Sequence, residues 1–388
     1  MPARLTSRPA LALIGAATLA LTACGGDAGD SSTSGGSAGA AAGGPITVTA
    51  TDTECQVAVA TAPAGKITFT VANKGTKINE FYVYAEGDRI VGEVENITPG
   101  LTREFIVDVS DPGAYQTACK PGMVGDGIRA AFTVTGDAPA AKTDDQDLQA
   151  AVTGYSRWVA SQADAFLART TEFVDLVKAG KVEEAKALYP IARSYWERIE
   201  PVAESFGDLD PKIDGREDVI AEGMAFTGYH RLEKDLWVDG LQKDSSAIAD
   251  QLLADVTELV AKAKTVELNP LQLANGSKAL LDEIATGKVT GEEERYSHTD
   301  LWDFEANFEG SKQAIAELRP FLEKKDPELV AKIDATGKAL GDLLETYRDG
   351  DGFVLYTELT KEDVKKLTQA LDAFSENVAQ VAGVVAKG

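Results

Sequence analysis

From Pro45 to Gly136 the chain alternates apolar and polar positions. In KITFTV, Ile67, Phe69 and Val71 fall on one side and the residues between them on the other, the period of two expected of a half-buried strand. Asn73-Lys74-Gly75 then supplies a turn, and EFYVY (Glu80–Tyr84), EFIVDV (Glu104–Val109) and AAFTV (Ala130–Val134) repeat the alternation. Pro-Gly pairs at Pro99-Gly100, Pro112-Gly113 and Pro121-Gly122 punctuate the series. Short strands at this spacing, within roughly 90 residues, predict an all-β sandwich.

The grain changes after DAPAAKTDDQD (Asp137–Asp147), a polar linker. Tyr155, Val159, Phe166, Phe173 and Val177 are spaced by four and seven, one face of a helix. Ala, Leu, Glu and Lys dominate from Leu148 to Gly388, with breaks at Lys178–Lys181, Gly207–Gly215, Asp239-Gly240, Asn269-Pro270, Gly287–Gly291, Asp326-Pro327 and Asp349–Gly352. Roughly seven or more helices result, and the prediction is an all-α bundle following the β-sandwich.

The first 44 residues fit neither part. Arg4 and Arg8 precede ALALIGAATLAL, too short to span a bilayer comfortably, and the run ends in Leu21-Thr22-Ala23-Cys24. This is the expected form of a lipoprotein signal peptide over Met1–Ala23, with Cys24 as the lipidated residue. Cys24–Gly44, rich in Gly, Ser and Ala, reads as a tether with a reach of roughly 25 Å. The expectation is a protein held outside the cytoplasm on a membrane surface, in the periplasmic space or on the outer face.

Composition narrows the partners. The chain has 388 residues, 38 of them Lys or Arg against 62 Asp or Glu, for a formal charge of −24. That balance argues against nucleic acid and against adhesion to anionic lipid by charge. It suits a protein that gathers cations, and equally one that is acidic for solubility alone.

Only two histidines occur. His230 lies in GYHRLEKDLW with Glu233 three residues on, so on a helix both share one face. Imidazole with carboxylates is a ligand set for iron, manganese or zinc; a surface His/Glu pair would have the same spacing. In YWERIEPVAESFGDLDPKIDGRED, Glu197, Glu200 and Glu204 form an acidic stripe that a solvated face would also produce, and Asp208, Asp210 and Asp214 follow in a loop. Asp214 reads either as a ligand or as a helix N-cap. GEEERYSHTDLWDFEANFEG carries Glu292–Glu294 and the other histidine, His298. Acidic residues favoured by a helix N-terminus are the plain explanation there.

These three segments together resemble the imelysin-like (M75 peptidase) family. Cys55, NKGTKINEFYVY, ENITPG and GAYQTAC resemble the cupredoxin-like domain that precedes it in the extracytoplasmic component of EfeUOB-type iron uptake systems. The resemblance covers nearly everything after the tether. It implies iron held by His230 and Glu233, with Glu197, Glu200 and Asp214 as further carboxylates and Glu293 as a less certain one. It also implies an EfeU-type membrane permease and an EfeB-type haem peroxidase as partners. The word peptidase finds no support in the residues. The chain lacks a His-Glu-x-x-His motif, and no nucleophilic trio stands out by spacing. The rival readings are a metallopeptidase using the same metal and a metal-free surface lipoprotein.

Cys55 and Cys119 fall in the β-part. A disulfide is the default outside the cytoplasm and would stabilise by roughly 4 kcal/mol in the chain-entropy model. The resemblance leaves open an atypical site of Cys55, Cys119 and Glu80 for copper or a second iron. A blue-copper site is excluded within this part, since it needs two histidines and both belong to the helical half.

Overall fold

The computed structural model describes residues 44–136, 145–203, 209–218 and 225–388. The expected signal peptide, Cys24, most of the tether and linker, Glu204 and Asp208 lie outside the described residues.

Nine strands build the N-terminal sandwich: β1 (Ile46–Ala50), β2 (Cys55–Val57), β3 (Thr61–Pro63), β4 (Gly65–Asn73), β5 (Asn79–Tyr84), β6 (Ile90–Ile97), β7 (Thr102–Val109), β8 (Gly113–Cys119) and β9 (Ile128–Thr135). One sheet runs β2-β1-β4-β7 and the other β3-β9-β8-β5-β6. The alternation read from the sequence sets which face is buried. Ile67, Phe69 and Val71 of β4 point inward, as do Phe105 and Val107 of β7 and Phe132 and Val134 of β9. Phe69 lies 5.0 Å from Phe81 and 5.7 Å from Phe132, ring centre to ring centre, so one aromatic bridges the two sheets. The Asn73 side chain donates to the carbonyls of Lys77 (2.8 Å) and Ile97 (2.6 Å), closing the predicted turn from within.

A disulfide joins Cys55 of β2 to Cys119 of β8, one strand from each sheet. Neither sulfur is a free thiolate, so the alternative of a thiolate metal site is corrected here. Glu80 is unavailable to it for a second reason. Cys119 pairs with Phe81 and shares its inward face, so the neighbouring Glu80 points to the opposite face of the sheet.

The helical part comprises α1 (Gln146–Lys178), α2 (Val182–Glu197), α3 (Glu200–Ala203), α4 (Leu209–Ile213), α5 (Gly228–Lys234), α6 (Ser245–Ala263), α7 (Pro270–Glu283), α8 (Asp300–Lys325), α9 (Pro327–Leu344), α10 (Lys361–Val378) and α11 (Val381–Ala386), with a small hairpin β10 (Arg348–Asp349) and β11 (Gly352–Phe353) at one predicted break. Tyr155, Val159, Phe166, Phe173 and Val177 are all buried along α1, which packs on α2, α6 and α8. The starts and stops follow local chemistry. Asn269 caps α7 through a reciprocal pair with Gln272, with Pro270 at the first helical position, where its missing N–H costs nothing. Asp326 caps α9 by accepting from the Leu329 amide, and Thr360 caps α10 through a reciprocal pair with Asp363.

One predicted helix is interrupted. The carboxylate stripe from Glu197 was expected to run down a single helix, but α2 ends at Glu197. The Glu197 carbonyl would need the amide of residue 201, and Pro201 has none. The Asn307 side chain of α8 donates to that carbonyl instead, at 2.7 Å.

The two parts touch through α7 and α11. Asn275 Nδ2 donates to the Ile106 carbonyl at 2.9 Å, and Lys66 Nζ to the Ala386 carbonyl at 2.6 Å. No helix among the described residues is long and apolar enough to cross a membrane.

The disulfide makes a direct prediction. Thiol counting on unreduced protein should find neither Cys55 nor Cys119, and the pair C55A/C119A should lose about 2–5 kcal/mol in denaturant titration. Two free thiols in fully folded protein would contradict the assignment.

Candidate metal centre

Why should the segments around His230 fold so that acids face inward? Gly228 decides the entry of α5. It adopts φ +76, a conformation that residues with a side chain rarely take, and a Cβ there would sit 2.2 Å from the Ile213 carbonyl oxygen. The start of α5 can therefore lie directly on the end of α4, and His230 comes to rest beside Asp214. Asp214 is not an N-cap, since it follows α4 and its amide donates back to the Asp210 carbonyl at 2.8 Å.

The imidazole is 2 % exposed. Its Nδ1 lies 3.1 Å from Glu233 Oε2, while Glu233 Oε1 accepts from the amides of Tyr296 (2.9 Å) and Ser297 (2.7 Å). The His-x-x-Glu spacing thus clamps the ring and ties α5 to the segment before α8. On the other side, Nε2 has no hydrogen-bond partner among the described residues and faces Asp214 Oδ1 and Glu293 Oε1, each at 3.5 Å. Asp214, His230 and Glu293 are close enough to share one ion, as are His230, Glu233 and Glu294.

Glu293 and Glu294 overturn a plain expectation. They precede the first turn of α8, which begins at Asp300, and both are buried, whereas Glu292 is exposed. The stripe is not solvated either: Glu197 is 0 % and Glu200 5 % exposed. Asn307 Nδ2 lies 3.1 Å from Glu197 Oε2 and 3.0 Å from Glu200 Oε2, reaching across from α8.

Two buried cations balance these acids. Arg193 of α2 pairs with Glu197 Oε1 and Glu294 Oε1 at 2.5 Å each, contacts Asp214, and lies 3.7 Å from Asp303 and 3.8 Å from Glu293. Tyr189 and Tyr229 flank its guanidinium at 6.0 and 5.9 Å. Lys288 Nζ is surrounded by Glu197, Glu200, Glu283 and Glu293. At the rim, Arg216 donates to Glu293 Oε2 at 2.9 Å.

The protonation pattern follows. Burial and Arg193 press the His230 pKa down, but Glu233, Glu293 and Glu294 outweigh them and raise it to about 9. Burial favours the neutral Glu293 carboxyl, yet Lys288, Arg216 and His230 hold it well below the usual range. Burial, reinforced by Glu197, drives Asp303 well above it. Neither Asp303 oxygen has a hydrogen-bond partner.

Of the six residues expected to hold metal, His230, Glu233, Glu197, Glu200, Asp214 and Glu293 all converge on this one buried network. Arg193, Lys288, Asp303 and Asn307 were not foreseen, and Glu294 was read only as one of three acids before a helix. Arg193 left a trace, a charge on the buried face that also carries Tyr189, Trp196 and Glu197. Lys288 left none.

Glu80 belongs to a separate seam. It sits on the outward face of β5, 3.0 Å from the Tyr82 hydroxyl. Burial raises its pKa to about 7 against the pull of Lys120, with Glu283 of α7 adding to the rise. Burial likewise brings Glu93 of β6 to about 8.

A β-sandwich fused to a helical bundle, with imidazole and carboxylates enclosed in the bundle, defines a two-part protein. The chain belongs to the imelysin family (peptidase M75), whose profile matches residues 151–381, and a cupredoxin-like domain is matched over residues 12–134. Proteins described as "Iron uptake system component EfeO" from Escherichia coli (strain K12), Escherichia coli O157:H7 and Shigella flexneri are each 40 % identical over 346 residues, covering 88 % of this chain and 91 % of the relative. A solved structure of reduced auracyanin from Roseiflexus castenholzii is 18 % identical and covers 25 % of this chain and all of its own, at a TM-score of 0.21. That likeness is too slight to argue from.

Two outcomes test the electrostatics. Arg193→Met leaves buried carboxylates uncompensated and should cost about 3–5 kcal/mol in urea unfolding of the metal-free protein; a loss below about 1 kcal/mol would show that the acids simply neutralise themselves. At the seam, the folded pKa of Glu80 exceeds its unfolded value. Its stabilising contribution is complete below about pH 4.5 and is lost as pH rises through about 7. Glu80→Gln should therefore raise the melting temperature by a few degrees at pH 8.5 and leave it unchanged at pH 4. An equal shift at both pH values contradicts this account.

Proposed function

We propose that this protein captures iron outside the cytoplasm and passes it on as a component of an iron uptake system. The observation that carries the reading is the unpartnered His230 Nε2, buried and facing two carboxylate oxygens at equal distance. Relatives at 40 % identity carry the description iron uptake component. Hard oxygen donors with one imidazole suit iron better than the thiolate-rich or all-imidazole sets of other metals.

In this reading His230 Nε2, Asp214 and Glu293 bind the ion. Glu233 orients the ring through Nδ1 and makes its free nitrogen a better donor. Glu197, Glu200 and Glu294 stand close by to complete the oxygen set or to balance its charge. The ion is cargo, so the chain's task is to bind and let go, with no bond made or broken in a substrate. The lipid anchor at Cys24 would keep the protein near an EfeU-type permease, with an EfeB-type haem peroxidase as the further member. The domain limits at Gly136 and Leu148, and the tether before Pro45, are part of the same proposal.

Protonation gives the reading a quantitative consequence. With its pKa raised to about 9, His230 carries two ring protons at neutral pH, and an ion must displace the one on Nε2. Iron affinity should rise by about tenfold per pH unit between pH 6.5 and 8.5 in calorimetric titration. His230→Ala should lower the affinity at pH 7.5 by at least about tenfold and flatten that slope, with the circular dichroism spectrum unchanged. Equal affinity in the variant would remove His230 from the site.

A further inference from the structure

Arg193 and Lys288 are both fully buried cations among carboxylates, but they are held differently. The guanidinium is locked by close contacts to Glu197 and Glu294 at 2.5 Å and to Asp214. Among the described residues the ammonium has no hydrogen-bond partner. Its nearest oxygens are Glu197 Oε2 at 3.3 Å, Glu200 Oε1 and Glu283 Oε2 at 3.5 Å, and Glu293 Oε2 at 3.9 Å. A hydrogen-bonded ammonium would sit roughly 2.7–3.0 Å from its acceptors. Lys288 therefore floats at the centre of a four-carboxylate cage, held by charge and without directed bonds.

The backbone brings it there deliberately. At Ile284–Lys288 the helix widens into a π-turn, with the Val289 amide donating to the Ile284 carbonyl at 2.8 Å and the Glu292 amide to the Gly287 carbonyl at 3.2 Å. Such wide turns are frequent at functional sites. The turn brings residue 287 so close that a Cβ would lie 2.6 Å from Glu293 Oε2, so a larger residue there would push that carboxylate aside. Glu293 is thus shared: Oε1 faces His230 Nε2, and Oε2 faces the ammonium.

We propose that Lys288 is a tethered competitor cation, which fills the cage beside the metal site in the empty protein and weakens the hold on an incoming ion through the shared Glu293. The proposal rests on the metal-site reading above and adds how that site is kept from binding too tightly to release. Because no hydrogen bond anchors the ammonium, it can retreat toward Glu283 as an ion arrives. A like charge within a few ångströms in a poorly screened interior opposes that ion. Neutralising the lysine leaves the carboxylates bare. The empty protein should lose stability, and a bound ion should restore more of it.

The test uses the full chain stripped of metal, titrated by calorimetry with ferrous sulfate under argon and separately with ferric citrate, taking whichever binds wild type more tightly. Lys288→Met should bind at least about tenfold more tightly than wild type, melt at a lower temperature when empty, and gain more on loading. Lys288→Arg, which keeps the charge, should bind no more tightly than wild type. Should Lys288→Met fail to fold, the pair E200Q/K288M, which takes one acid out of the cage together with the lysine, should still exceed E200Q alone in affinity. Affinity unchanged or reduced on removing the lysine overturns the proposal. If wild type binds neither form of iron, the metal-site reading itself has failed, so the two failures are distinct.

Discussion

Buried charge compensation is the constraint on which the helical part depends. Carboxylates from α2, α3, the turn after α4, α5, the segment before α8 and α8 itself converge in the buried interior. Such groups cannot remain ionised in an apolar interior unless cations are buried with them. Arg193 answers that need from α2, with a planar fork suited to several carboxylates at once, and Lys288 answers it from the far side. The aromatic wall of Phe166, Phe173, Tyr189, Trp196 and Tyr229 lies along the same helices. It fixes the helix spacing, so the charges meet at defined distances.

The same compensation explains why the interior is poised rather than inert. Replacing the acids by apolar residues would satisfy packing more simply, and buried ion networks rarely add net stability over a hydrophobic core. Here the acids exceed the cations, and the buried His230 Nε2 faces two of the carboxylates. The seam between Glu80, Glu93 and Glu283 repeats the theme on a smaller scale, with Lys120 as its cation.

Particular residues show how far the sequence could be read. The strands of KITFTV, EFYVY, EFIVDV and AAFTV were legible because a period of two needs only neighbouring residues. Strands β2 and β3 were not, since three residues carry too little pattern. The break after Glu197 was hidden in plain view: Pro201 withholds an amide four residues on, but nothing local announces that Asn307 replaces it. His230 and Glu233 were found by spacing, whereas their actual relation, ring clamped by carboxylate, depends on amides more than sixty positions away.

The amino-acid sequence by itself determined the two-part architecture, the inward faces of the strands that were read, most of the helix ends and the residues from which a metal site could be drawn. Each of these follows from periodicity, from proline, glycine and capping chemistry, all local in range. Only the tertiary structure decided that Glu197 and Glu200 are buried and not solvated, that Cys55 and Cys119 are bonded across the two sheets, and that Arg193 and Lys288 stand among the acids. Those outcomes depend on which distant groups share one dry volume, and a carboxylate's charge, proton and partner are set by that company.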